Sequence, residues 1–143
     1  MADRIFTRAD FARFIQITTR WSDNDVYRHV NNVVYFSFFD TAVNQYLLEQ
    51  GVLDFDHSPL VGLVVDNHCQ FFRSVCFPDT VQVGIFVEKI GNSSVVYRLG
   101  IFKNTEEGIC ALGQFTHVYV DRQTHRPQSI PQNIRDVLES LRL

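Results

Sequence analysis

The spacing of apolar positions changes period twice along this chain, and each change marks a new kind of element. Over 14–20, Ile15, Ile17 and Thr19 alternate with Gln16, Thr18 and Arg20, the two-residue period of a half-buried strand. After Asn31 and Asn32 the period lengthens. Tyr35, Phe38, Phe39, Ala42, Val43, Tyr46 and Leu47 fall at the i, i+3, i+4, i+7 spacing of one helical face. Either Asn suits the N-cap and Gly51 supplies the stop, so a helix is predicted over 32–50, roughly 28 Å long. Its other face mixes Val33, Val34, Phe36 and Leu48 with Ser37, Asp40, Thr41, Asn44 and Gln45. A helix this apolar is expected to be wrapped by the rest of the chain.

The short period then returns and persists, predicting strands over 61–75, 80–90, 94–103 and 109–121. Val81, Val83, Ile85 and Val87 share one face of the second of these, and Val95, Tyr97, Leu99 and Ile101 share one face of the third. Pro78-Asp79, Gly91-Asn92-Ser93 and the polar stretch 104–108 punctuate them, and such short connections favour antiparallel meander pairing. A short C-terminal helix is predicted over 131–143, with Ile134, Val137, Leu138 and Leu141 on one side. The fold class is therefore α+β: about five strands in a curved antiparallel sheet around one long central helix, in the order β-α-β-β-β-β plus a C-terminal helix. With no repeat, low-complexity tract or linker, residues 1–143 read as a single domain.

Composition narrows the function classes. The thirteen Phe among 143 residues must be buried or sit at a subunit interface. A net charge of −3 excludes a strongly basic nucleic-acid binder, and any anionic ligand must be met by a local basic patch. No run reaches the roughly eighteen apolar residues of a membrane span. Asp10, Arg13 and Gln16 interrupt any signal-peptide pattern, so a cytoplasmic protein is expected. Cys69, Cys76 and Cys110 are odd in number, lack CxxC spacing, and read as buried thiols in a reducing compartment. His57, His117 and His125 show no ligand spacing, so no metal is expected, and no cofactor fingerprint is present.

The chemistry concentrates between the first strand and the long helix, in Asp23-Asn24-Asp25-Val26-Tyr27-Arg28-His29-Val30-Asn31-Asn32. A carboxylate just upstream of a helix lies near unpaired backbone N–H groups, which polarise a carbonyl and hold a developing oxyanion. The same residues also suit a plain loop of Asx turns leading to a helix cap. Asp40 on the helix and Cys69 in a strand read as structural, because Cys69 and the adjacent His68 point to opposite faces of a strand.

The pattern Asp-x-Asp-x-x-x-His-Val-Asn-Asn-x-x-Tyr, from Asp23 to Tyr35, resembles the 4-hydroxybenzoyl-CoA thioesterase-like branch of the hotdog superfamily, and the strand order extends the resemblance over most of the chain. The resemblance implies hydrolysis of an acyl-CoA or acyl carrier protein thioester, with coenzyme A entering only as part of the substrate. It implies Asp25 as nucleophile or general base and Asp23 as supporting acid, with His29 and Asn32 in the catalytic group. Tyr27, Arg28, Asn31, Tyr35 and Arg73 are the substrate-binding candidates. For Arg73, the expected position is the end of the strand over 61–75, beside a pantetheine channel, with Lys103, Arg122 and Arg126 as further cations for phosphate. Members of this family associate as dimers, often tetramers, with the site at the dimer interface, and the strand over 61–75 is a long edge needing a partner. One departure stands out: the branch commonly carries a small residue before the His, and here it is Arg28. Such a cation would pair with Asp25, favour an anionic substrate, or mark a non-catalytic acyl-thioester-binding or assembly module.

Overall fold

The structure, a computed structural model, describes residues 6–142. The first residues read for a signal pattern, and Leu143 at the end of the predicted C-terminal helix, lie outside them. The elements are β1 (Arg13–Thr18), α1 (Asn32–Glu49), β2 (Leu60–Phe71), β3 (Thr80–Ile90), β4 (Ser94–Lys103), β5 (Ala111–Asp121) and α2 (Gln132–Ser140). One antiparallel sheet runs in the order β1-β3-β4-β5-β2, and α1 lies across its concave face. This is the hotdog arrangement.

The helix sits where its sequence period places it. Its buried residues are Tyr35, Phe38, Phe39, Ala42, Val43, Tyr46 and Leu47, the face predicted from spacing. They meet Val81, Val83, Ile85, Val95, Tyr97, Leu99 and Ile101 from the sheet. Contact is close at Gly113 of β5, where an added Cβ would come within 2.4 Å of the Phe39 ring. Val33 and Leu48 stay exposed on the other face, so within one chain the wrapping of α1 is incomplete.

Much of the Phe load lies on the outer face of the sheet. Phe11, held below β1 by a 3₁₀ turn over Arg8–Asp10, packs with Phe102, Ile109 and Leu112, with Phe6 and Phe86 against them. This second small core fastens the chain before β1 to β3, β4 and the start of β5.

The sheet departs from a meander at one point. The strands β3, β4 and β5 pair in sequence, but β2 pairs with β5 and leaves β3 to pair with β1. The strand predicted over 61–75 ends at Phe71, because the Phe72 and Arg73 N–H groups both turn to the Cys110 carbonyl, at 2.8 and 3.1 Å. Segment 72–79 then crosses the end of the sheet, and Val75 accepts from the Val30 N–H at 2.7 Å. The crossing brings it against the loop before α1. The first strand likewise ends early, at Thr18, since Trp21–Asp23 form a 3₁₀ turn, and β5 starts at Ala111 instead of 109. Cys110 is buried as expected, whereas Cys69 and Cys76 are only half-buried. Cys69 lies on the edge strand β2 and Cys76 in the crossing segment, and neither is covered from both sides.

As expected for a single chain, β2 is an edge. Leu63, Val64 and Val65 on it are substantially exposed, and the register slips between Val64 and Asp66. Among the described residues no helix is long and apolar enough to cross a membrane.

Candidate active site

The segment between β1 and α1 is a closed loop. Asn24 and Val30 bridge antiparallel, the Asp25 N–H donates to the His29 carbonyl at 2.9 Å, and the Arg28 N–H donates to the Asp25 carbonyl at 3.0 Å. Asn31 then begins the helix. With φ −62° and ψ 140° it is the N-cap, and its side-chain oxygen accepts from the Val33 N–H at 3.0 Å. Asn31 thus acts as the cap, and Asn32 takes the first helical position with an exposed side chain.

The two acids occupy different environments. Asp23 is buried, accepts from Arg20 and lines a separate hollow of about 210 Å³ between β1 and α1, beside Ser37 and Thr41. Its carbonyl receives the Asn31 N–H at 2.9 Å. Every contact of Asp23 therefore holds the loop and the helix start together. Asp25 is half-buried, and its Oδ1 accepts the Tyr27 N–H at 2.8 Å in an Asx turn. Among the described residues the remaining carboxylate oxygen has no hydrogen-bond partner, whereas both oxygens of Asp23 are engaged by Arg20.

Arg28 has φ of 64°, in the left-handed region that glycine adopts most readily. A small residue at this position has a physical reason, and Arg28 meets the same turn at a cost in backbone strain. Among the described residues its side chain forms no ion pair, and it meets Asp25 only through its backbone N–H. The expected pairing of its guanidinium with Asp25 is not formed, because the turn that joins their backbones points the chain outward at an exposed tip. Val26, Tyr27, Arg28 and His29 are all exposed there.

A cleft of about 260 Å³ opens at the amino end of α1, lined by His29, Val30, Asn32, Tyr35, Phe71, Phe72, Arg73 and Ser74. Four predicted residues, His29, Asn32, Tyr35 and Arg73, meet in it. Asp25 stands beside the cleft through its hydrogen bond to His29, while Asp23, Tyr27, Arg28 and Asn31 do not line it. Tyr35 packs edge-on against Phe71 with ring centroids 4.9 Å apart, and burial pushes its phenol up to about 12. It is therefore a neutral hydrogen-bonding group at ordinary pH. Arg73 reaches the cleft from the crossing segment and not from a strand. Phe72 and Ser74 arrive with it. The signal available for Ser74 was the polar pair Arg73-Ser74, which interrupts the apolar run before Pro78.

Two of the other proposed cations are engaged by backbone carbonyls. Arg122 donates to the Ser58 and Phe55 carbonyls at 2.8 and 2.6 Å and fastens the loop before β2, while Lys103 donates to the Ser74 carbonyl at 3.0 Å. Asp40 is exposed and hydrogen-bonded to Asn44 one turn on. On the concave face, His117 is buried beside Phe115 and Tyr97, neither of its ring nitrogens has a hydrogen-bond partner among the described residues, and burial pulls it down to about 4.

The sequence profile of the thioesterase-like superfamily matches residues 19–138, taking in the loop, the cleft and the strands β2 to β5. The chain belongs to that superfamily. Among solved structures, the PA5185 protein of Pseudomonas aeruginosa strain PAO1 is 47% identical, with 97% of each chain covered and a TM-score of 0.95. A Bacillus stearothermophilus protein described as a predicted thioesterase is 26% identical over 91% of this chain and 96% of its own, with a TM-score of 0.78. The DHNA-CoA thioesterase of Staphylococcus aureus, 21% identical over 89% of this chain and 86% of its own, has a TM-score of 0.78 and shares the fold. Superfamily and neighbours together support thioester hydrolysis as the general activity.

Proposed function

We propose that this superfamily member hydrolyses an acyl-CoA or acyl carrier protein thioester in the cleft at the start of α1, with Asp25 as the reactive carboxylate. The observation that carries the reading is the convergence of His29, Asn32, Tyr35 and Arg73 from three separate segments on one cleft, with Asp25 tied to His29 beside it. At the start of α1 the Val33 and Val34 N–H groups already donate to Asn31, so the Asn32 N–H is the one that would polarise the thioester carbonyl. Two routes suit Asp25. It takes a proton from water, whose oxygen attacks the carbonyl carbon as the C–S bond breaks, and the proton then passes to the leaving thiolate. Alternatively, its oxygen attacks the carbonyl, the thiolate leaves, and water hydrolyses the mixed anhydride.

A homodimer joined along β2, or a homotetramer of two such dimers, would cover Leu63, Val64 and Val65 and add a second wall to the cleft beside Phe71. The second reading, a non-catalytic acyl-thioester-binding or assembly module, is favoured by the Asx turn that engages Asp25 with its own loop.

The deciding experiment incubates the protein with a panel of aliphatic and aromatic acyl-CoA and carrier-protein thioesters and a thiol reagent. Thiol release, reduced at least about 100-fold in Asp25→Asn with fold and oligomer size intact, is the expected result. Binding without release throughout the panel would favour the module, and near-normal turnover in Asp25→Asn would remove Asp25 from the chemistry.

A further inference from the structure

Arg73 is held at both ends by the short stretch 108–110. Its backbone N–H donates to the Cys110 carbonyl at 3.1 Å, and its guanidinium lies flat against Gly108. A Cβ added at Gly108 would come within 2.6 Å of Cζ and within 2.8 and 2.9 Å of the two terminal nitrogens. No left-handed backbone demands glycine here. The missing side chain is used as space for a planar cation. The platform under it is itself anchored, because Arg8 donates to the Glu106 carbonyl at 2.6 and 3.0 Å and to the Asn104 carbonyl at 3.1 Å. Beside it, Lys103 fastens the next residue, Ser74, through its carbonyl. Among the described residues Arg73 forms no ion pair, although it lines the cleft. A guanidinium oriented by backbone and left without a carboxylate is preorganised for an anion brought by a ligand.

We propose that Gly108 is a positioning residue: by having no side chain it seats the Arg73 guanidinium at the cleft, and the seated cation meets a phosphate of the thiol half of the substrate. This rests on the reading of the cleft as a thioester site, and it adds the element that sets affinity for an anionic thiol carrier. Arg73 donates to the phosphate, while the acyl carbonyl is handled at the start of α1. Displacing the guanidinium therefore weakens binding and leaves the chemical step alone.

The test compares the full chain with Gly108→Ala, Arg73→Ala and the double variant. Coenzyme A is titrated by calorimetry, and turnover is measured on one acyl group carried by coenzyme A or by uncharged N-acetylcysteamine. Gly108→Ala is expected to weaken coenzyme A binding and raise KM for the coenzyme A thioester by roughly tenfold, with kcat unchanged. The N-acetylcysteamine thioester should show no change in either constant. In the Arg73→Ala background, Gly108→Ala should add nothing, whereas a purely structural glycine would give additive losses. Additive losses, an equal rise in KM for both thioesters, or unchanged coenzyme A affinity would each overturn the proposal. So would a Gly108→Ala chain that does not fold, because the atoms in the way are the movable end of an arginine. The titration needs no turnover. A protein that hydrolyses nothing, yet loses coenzyme A affinity on Gly108→Ala, would refute hydrolysis and leave this role standing.

Discussion

The Arg20 guanidinium grips the Asp23 carboxylate, with Nη2 2.9 Å and Nε 3.1 Å from Oδ1, while the Arg20 backbone N–H donates to Oδ2 at 2.7 Å. Three donors on one buried acid close the turn that leads from β1 to the site loop. Asp23→Asn should therefore destabilise the fold by about 2 kcal/mol, a figure held down because the Arg20 end of the pair is 73% exposed to solvent. Chemical denaturation would measure it. Asp25→Asn, which loses one Asx-turn acceptor of higher charge, should change stability by under about 0.5 kcal/mol. Equal losses in the two variants would contradict this division of labour.

Arg28 holds a left-handed backbone that glycine adopts freely. Relief of roughly 1–2 kcal/mol of strain is partly offset by the wider freedom of glycine in the unfolded chain, roughly 0.5–1 kcal/mol. Arg28→Gly should stabilise by about 0.5 kcal/mol, with turnover kept. Loss of turnover on an anionic acyl substrate alone would show instead that the cation reads the acyl group.

His117 has a pH signature. Burial lowers it from 6.5 to about 4, so the folded state prefers the neutral ring and the unfolded chain binds the proton more readily. Its contribution is full above about pH 6.5 and is lost as the pH falls toward 4, by up to about 3 kcal/mol. His117→Phe should flatten the fall in stability measured by denaturation across that window. An unchanged slope would mean that another group controls the acid limb.

The oligomer proposal is checked at the edge. Val65, the extra residue at the register slip, is 60% exposed. Val65→Lys should convert a dimer to a monomer in sedimentation while circular dichroism stays unchanged. A wild-type chain that sediments as a monomer at micromolar concentration would refute pairing along β2.

The fold was legible wherever one element carried its own periodic face and its own punctuation. Both β3 and β4 begin and end where Pro78-Asp79, Gly91-Asn92-Ser93 and the polar stretch 104–108 set them, and the buried face of α1 is the predicted one. Legibility failed where the partner was distant. Phe72 and Val75 read as continued strand, but the ladder stops at Phe71 because the next two N–H groups turn to Cys110, almost forty residues on. The same distance hid Ser74 from the site. For Arg28, residue identity argued against the left-handed turn that the hydrogen bonds of Asp25 and His29 impose. Asp23 and Asp25 looked alike in sequence; burial and the reach of Arg20 separate them.

The register slip at Val64 and Asp66 also bears on how the protein avoids unwanted company. A straight edge of twelve residues would accept any extended chain and invite ribbons without end. The bulge interrupts the row of donors and acceptors and increases the local twist, so only a surface shaped to that kink can match it along its length. A second copy, carrying the same kink, has that shape built in.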